Sequence, residues 1–207
     1  MNGIFSWDSP LMKLLSRLGD WIALNVLFVI SCIPVITIGA SFAALYDATY
    51  RGFRKGERHC WSRFLQVFRQ NWKSGILPTG VFLLVVAAVA KGLISLWNGA
   101  VAGSVSWMLF SGLAFVGVLL TGIVSILFPM LSRFENPFPV LLKNTVFLGM
   151  ANLPRTAALG ILNALTGVLC VAYIIPLFFL PALAALIGSL FVEPMFRPYM
   201  PEDEDAA

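Results

Sequence analysis

The sequence is poor in charged residues and in the residues on which enzyme chemistry depends. Of its 207 residues, 12% are charged, one is histidine and three are cysteine, whereas about 25% of the residues of a soluble domain are charged. The cysteines (Cys32, Cys60 and Cys170) show neither metal-ligand nor CxxC spacing. No HExxH, GxSxG, Walker-type or dinucleotide-binding motif occurs. We therefore expect no enzyme activity, no metal and no cofactor.

Apolar residues, in contrast, make up 59% of the chain and give it a mean hydropathy of +0.87. They occur in runs of about twenty residues, which is the length of helix that crosses a bilayer. A soluble protein of this size would need polar positions on every helix to face water. The composition therefore predicts an all-α, polytopic helical membrane protein that forms a single integral membrane domain.

Five transmembrane spans are predicted, preceded by an amphipathic helix within residues 1–20 that lies at the membrane surface. The spans cover residues 21–45, 75–97, 107–131, 156–175 and 177–196. If residues 156–196 instead hold one span and a re-entrant segment, four spans result and the C-terminus changes side.

Two basic loops (51–73 and 133–155) and an acidic tail (201–207) lie outside the predicted spans. Because cytoplasmic loops concentrate Lys and Arg, both loops are expected in the cytoplasm, with the N-terminus outside and the C-terminus inside. The basic charge thus follows membrane sidedness, and no nucleic-acid partner is expected. Asp47 and Glu57 lie at the cytoplasmic boundary of the membrane and are expected to be solvated or paired with nearby arginines.

The stretch SCIPVITIGASFAAL (31–45) interrupts the first predicted span. Pro34 removes a backbone donor and frees a carbonyl at membrane depth, which Ser31 and Thr37 lie close enough to help satisfy. Gly39 allows another backbone to approach closely. We interpret Pro34, Thr37 and Gly39, together with Asn25, as a helix break that serves as a hinge or packing notch, or as a ligand contact. Residues 168–187, with Pro176 in place of Pro34, repeat the pattern weakly, as a duplication of a transporter segment would.

Polar residues within the spans are the other candidates for a site, because their burial in lipid is costly. Lys91 is expected to extend its ammonium group towards the membrane surface, or alternatively to contact a substrate. Asn25 and Asn163 are expected to form interhelical hydrogen bonds, or alternatively to bind a solute. Thr121 belongs to a stripe with Gly117 and Ser125 that is typical of close helix contact.

Both basic loops contain stretches with the pattern of helices that lie on the cytoplasmic surface. In CWSRFLQVFRQNWKSG, aromatic and leucine residues recur at helical spacing beside basic ones. In NPFPVLLKNTVFLGMANLPRT, Pro137 and Pro139 are placed where a helix begins. Such helices bind anionic lipid or a partner protein. The candidate docking residues are Trp61, Arg63, Phe64, Phe68, Arg69, Trp72, Lys73, Lys143 and Arg155.

Several of these segments together resemble the YesL family of bacterial membrane proteins. They are Gly19-Asp20 and Asn25 before PVITIGASFAALY, then FLQVFRQNWKSG, then NPFPVLLKNTVFLGMANLPRT, in similar order and spacing over roughly residues 5 to 195. The resemblance implies a multi-pass protein of the bacterial cell membrane, whose relatives often accompany carbohydrate-uptake ABC transport systems. It carries over no catalytic residues.

We therefore expect an accessory or regulatory component of bacterial carbohydrate uptake, with membrane lipid and ABC-transporter subunits as its partners. The alternative is a small-solute transporter or channel in its own right, working as a homo-oligomer or alone. An intramembrane enzyme is disfavoured, because the spans contain no paired carboxylates, no histidine and no nucleophile–base pair.

Overall fold

The computed structural model describes residues 10–56, 60–103, 107–134 and 136–199, and within them the chain is helical, without strands. The α-helices are α1 (Pro10–Cys32), α2 (Ile38–Thr49), α3 (Cys60–Asn71), α4 (Ile76–Val101), α5 (Trp107–Arg133), α6 (Phe138–Ala151), α7 (Leu153–Ala172), α8 (Ile174–Leu177) and α9 (Leu180–Phe196). The all-α prediction is confirmed. Residues 1–9, Glu57, His59 and the acidic tail lie outside the described residues.

Four of the described helices are long and apolar enough to cross a membrane: α4, α5, α7, and α9 extended to Tyr199. The protein is therefore a polytopic helical membrane protein. The apolar stretch 156–196 contains two of the four helices, separated by the short α8. The structure thus favours two spans in this stretch over one span with a re-entrant segment.

The predicted first span over residues 21–45 is not a single helix. α1 continues from Pro10 to Cys32, so no boundary separates a surface helix from a span near residue 20. A short 3₁₀ turn (Val35–Thr37) follows, and α2 begins only at Ile38. By length and composition, four of the described helices could cross a membrane, and α1 and α2 are not among them.

α4 and α5 form an antiparallel hairpin, in which Gly92 of α4 faces Leu113 of α5 and Gly117 of α5 faces Val89 of α4. The start of α4 and the end of α5 therefore lie at the same end of the hairpin. Of the predicted stripe, Gly117 lies in this close contact, and the Thr121 and Ser125 hydroxyls donate to carbonyls of their own helix.

α2 begins and ends at this same end of the hairpin. Near its start, Gly39 N donates to Thr79 Oγ1 in the first turn of α4 at 2.7 Å. Near its end, Asp47 Oδ1 lies 4.0 Å from Nε of Arg133, the last residue of α5. α2, with 12 residues, therefore does not run the length of the hairpin.

Two apolar cores hold the helices together. One lies between α5, α6 and α9 and includes Ile126, Leu141 and Phe196. The other fastens α3 and the start of α9 to α1 and α2, with Phe64 and Val67 of α3 on its inner side. The helices that precede α4 are thus part of the same packed structure as the spanning helices.

Candidate functional site

The structure confirms the helix break at Pro34. α1 ends at Cys32, and Thr37 Oγ1 lies 2.6 Å from the Ser31 carbonyl oxygen and 2.7 Å from that of Pro34. The Ile30 carbonyl accepts from Ile33 N at 3.2 Å. The freed carbonyls are thus satisfied locally, largely by Thr37, as the sequence predicts, while the Pro34 ring stays exposed.

Gly39 lies in a backbone contact between α2 and α4. A Cβ atom at this position would lie 2.6 Å from the carbonyl oxygen of Gly75 and 2.6 Å from Thr79 Oγ1, and one at Gly75 would lie 2.7 Å from Ala40 N. Such a short distance leaves room for neither a side chain nor a ligand. The Gly39 end of the break is therefore a packing notch.

We expect Gly39→Val to destabilise the protein and Pro34→Ala to leave its stability nearly unchanged. Overpacking costs about 1–3 kcal/mol, and the obstacle at Gly39 is largely backbone, whereas Pro34 is exposed and Thr37 bonds the nearby carbonyls without it. Thermal unfolding in detergent, followed by size-exclusion chromatography, measures both. Equal losses in the two variants would contradict the assignment of the packing to Gly39.

Asn25 joins α1 to the beginning of α9. Its fully buried side chain donates from Nδ2 to the Trp21 carbonyl at 2.9 Å, and its Oδ1 accepts from Ala182 N at 3.1 Å. Trp21 Nε1 in turn donates to the Phe179 carbonyl at 3.2 Å. Because backbone N–H groups in the first turn of a helix lack intrahelical acceptors, Asn25 satisfies a donor of α9. Both polar ends of its amide are thereby used in structure.

The other intramembrane polar residues do not converge with Asn25. Asn163 Nδ2 and Thr121 Oγ1 each donate to a carbonyl one turn earlier in their own helix. Lys91 is exposed on α4. Of these residues, only Asn163 lines the cavity discussed below.

A buried carboxylate joins three arginines at the end of α2. Asp47 is fully buried; Arg63 Nε of α3 donates to its Oδ2 at 2.7 Å, and Arg51 Nε to its Oδ1 at 3.2 Å. Arg133 Nε of α5 lies 4.0 Å from Oδ1, with its side chain only 6% exposed. Asp47 was expected to be solvated or paired, and the structure shows that it is paired.

Glu193 of α9 holds the other side of Arg133. Arg133 Nη2 and the Tyr46 hydroxyl each donate to Glu193 Oε1 at 2.9 Å. Burial, reinforced by the Glu193 carboxylate, raises the pKa of Tyr46 well above its usual value, so the hydroxyl keeps its proton as donor. The Arg133 guanidinium carbon also lies 4.5 Å from the centre of the Tyr50 ring, a cation–π contact.

Arg54 completes this group. Its Nη1 donates to the Ser189 carbonyl at 3.2 Å, and its guanidinium lies 5.4 Å from the Tyr50 ring centre. A π-helical turn over Tyr50–Arg54 carries both Arg51 and Arg54; such turns are rare and often occur at functional sites. We call Asp47, Glu193, Tyr46, Tyr50, Arg51, Arg54, Arg63 and Arg133 the ionic cluster.

The ionic cluster fastens α2, α3, α5 and α9 to one another. Its four arginines exceed its two carboxylates, so the cluster carries excess positive charge. It contains no thiol and no imidazole, and its one hydroxyl–carboxylate pair is the hydrogen bond between Tyr46 and Glu193. In the part of the chain that the structure describes, no group of three His, Cys, Asp or Glu residues could hold a metal ion.

The predicted docking residues on α3 divide between two faces. Phe64 is buried in the core, Phe68 stacks on it, and Arg63 is bonded to Asp47, so these three serve internal packing. The exposed set, which we call the outer face of α3, comprises Trp61 and Arg69 on the helix and Trp72 and Lys73 just after its end; each tryptophan is 49% exposed. Lys143 on α6 and Arg155 on α7 are exposed as well.

Sequence reasoning missed most of the ionic cluster. Arg133 was grouped only with a basic loop, and neither Tyr46 nor Glu193 was singled out. One local signal was present, since Asp47 and Arg51 have the i, i+4 spacing of a helical ion pair. Nothing local connects Asp47 with Arg133 or Arg133 with Glu193.

The fold and this site define a polytopic helical membrane protein with an ionic cluster at one end of its helices. A family model described as "Protein of unknown function, DUF624" matches residues 21–92. The matched residues run from α1 into α4 and include Asp47, Arg63 and the Gly39–Gly75 contact. No curated protein and no solved structure matches the chain.

Proposed function

We propose that the protein is an accessory or regulatory membrane component of bacterial carbohydrate uptake through ABC transport systems, and that it docks its partner through the outer face of α3. The resemblance to the YesL family supports the carbohydrate assignment. The match over residues 21–92, a family model of unknown function, covers the proposed docking helix and the helices that hold it.

The observation that carries the proposal is the way α3 is held. Phe64 and Val67 fix one side in the core, and Arg63 is bonded to the buried Asp47 at 2.7 Å. The opposite side presents two half-exposed tryptophans and two basic residues. Trp and Arg are enriched among the residues that dominate binding energy at protein interfaces. A surface held rigid before binding loses little conformational entropy on association.

The position of α3 suits a partner at the membrane surface. Trp72 and Lys73 lie in the short turn before α4, and the first residues of α4, Ile76 and Leu77, are exposed and apolar. Trp61 lies at the other end of α3, roughly 15 Å away along the helix axis. Lipid headgroups therefore contact the α4 end, while the Trp61 end is available to a cytoplasmic protein. The excess of Lys and Arg favours the cytoplasmic side for this surface.

The double variant Trp61→Ala/Arg69→Ala is expected to reduce recovery of an ABC-transport subunit by about tenfold or more. The measurement is affinity purification from the native membrane in mild detergent, with the recovered subunits quantified by mass spectrometry. The matched control is Trp97→Ala/Arg17→Ala, which removes an exposed tryptophan and an exposed arginine elsewhere.

Repeated recovery of the wild-type protein alone, or equal loss with the control variant, would contradict the docking proposal. Gln66 is an exposed position on α3. Labelling of Gln66→Cys by a membrane-impermeant maleimide in intact cells would also contradict the docking proposal, because α3 would then lie outside the cell.

A small-solute transporter is the second candidate, and one observation favours it. Asn163, half-buried on α7, is among the residues that line a partly open cavity. Flux of a radiolabelled sugar into proteoliposomes that falls in Asn163→Leu would support this function. Asn163 is a better test position than Asn25, whose amide holds α1 to α9. A reconstituted protein without flux removes this candidate.

A further inference from the structure

A partly open cavity of about 230 Å³ lies between α1, α2, α4, α5 and the α7–α9 segment. Four phenylalanines contribute to its wall, one each from α1, α2, α4 and α5: Phe28, Phe42, Phe82 and Phe128. None of the residues that line it is charged. The cavity therefore presents a largely aromatic and aliphatic surface.

Four of the polar side chains on this wall donate hydrogen bonds within the protein. Ser125 Oγ, Asn163 Nδ2 and Thr166 Oγ1 each donate to a carbonyl one turn earlier in their own helix, at 2.6, 2.9 and 2.8 Å. The Tyr46 hydroxyl donates to Glu193. A buried water needs two to four polar partners, and these hydrogen bonds already engage four of the few polar side chains on the wall. The cavity is thus suited to an apolar occupant.

We propose that this cavity binds a hydrocarbon group, the acyl chain of a membrane lipid. An apolar cavity of about 150 Å³ stays dry and takes up benzene, and this one is larger. Residues from α4, α5, α7 and α9, the described helices that are long enough to cross a membrane, line the cavity. Lipid acyl chains are therefore the most abundant apolar groups around it. The inference is independent of the proposed docking function.

Gly167 indicates where the acyl chain of the lipid enters the cavity. It lines the cavity, it is exposed, and a Cβ atom built on it would meet nothing within 4 Å. Its neighbours Val168 and Val171 are strongly exposed on the same helix. The wall is therefore thinnest at α7, on a surface that would face lipid.

Photolabelling tests the proposal with the full-length protein in nanodiscs made of a phospholipid that carries a diazirine in its acyl chain. Adducts, mapped by mass spectrometry, are expected on Phe28 and Phe128, which line the cavity and are only 5% and 4% exposed. Gly167→Leu, which fills the open space, should reduce these adducts by about tenfold. Gly80→Leu is the matched control, since its Cβ also meets nothing within 4 Å and it does not line the cavity.

Adducts confined to exposed positions such as Leu84 and Val171 in the wild-type protein would overturn the proposal, and this outcome does not depend on any variant folding. A second arm uses a headgroup-free diazirine alkane. Labelling of Phe28 and Phe128 by the alkane but not by the phospholipid would assign the cavity to a free apolar molecule and would likewise overturn the lipid assignment.

Discussion

Asp47→Asn is expected to lower the free energy of unfolding by about 3–5 kcal/mol, the usual cost of removing one partner of a buried ion pair. The Asp47 side chain is fully buried and bonded to Arg63 and Arg51, with Arg133 close by. Without its charge, Glu193 is the one carboxylate left in the ionic cluster, and the Arg133 side chain beside it is only 6% exposed. The variant should therefore fold poorly or lose the attachment of α3.

Thermal unfolding in detergent and the yield of monodisperse protein measure this effect. The matched control is Asp20→Asn, because Asp20 is only half-buried on α1 and forms no ion pair within the described residues. Stability equal to that of the wild type in Asp47→Asn would contradict a structural role for the cluster. A double-mutant cycle with Arg63→Gln should show a coupling of about 0.5–3 kcal/mol, because the two side chains are in direct contact.

Gly160→Ala is expected to destabilise the protein by at least the 1–3 kcal/mol that is typical of overpacking. Gly160 lies where α7 crosses α5, and a Cβ atom there would collide with the carbonyl oxygen of Val118, while one at Gly122 would collide with that of Thr156. A backbone carbonyl cannot rotate away as a side chain can, so the two helices must separate. Increased protease sensitivity and a lower unfolding temperature in detergent would report this separation.

Gly167→Ala is the control on the same helix, and its effect should have the opposite sign. Nothing lies within 4 Å of a Cβ atom at Gly167, and alanine is favoured over glycine in a helix by about 0.5–1 kcal/mol. A similar loss of stability in both alanine variants would show that α7 tolerates no added methyl group, and the assignment of the crossing to Gly160 would be wrong.

The helix break at Pro34 could be predicted because its cause is local. A proline lacks the N–H that a continuous helix requires, and Thr37 is near enough in sequence to bond the freed carbonyls, as it does. The helical class followed as well from the long apolar runs. The helix boundaries did not, because residues 21–45 are apolar enough to resemble one span but are divided between α1 and α2.

The packing glycines show the same distinction. Gly117 was recognised from its spacing with Thr121 and Ser125, yet it meets only a side chain, Val89. The closest crossing, between Gly122 and Gly160, joins helices whose relative rotation no local pattern specifies. Which glycine is essential depends on the partner helix, and that information is absent from the spacing within either helix.

By itself, the sequence determined that this protein is helical, that it belongs in a membrane and that its first apolar stretch breaks near Pro34. Each of these follows from the transfer of apolar residues out of water or from backbone geometry at one residue. Only the tertiary structure decided that Asp47 is buried among arginines from three segments, that Phe64 is core while Trp61 is exposed, and that α2 begins and ends at one end of the α4–α5 hairpin. Those features depend on residues far apart in the chain, and the stability of such contacts is set by which helices pack together.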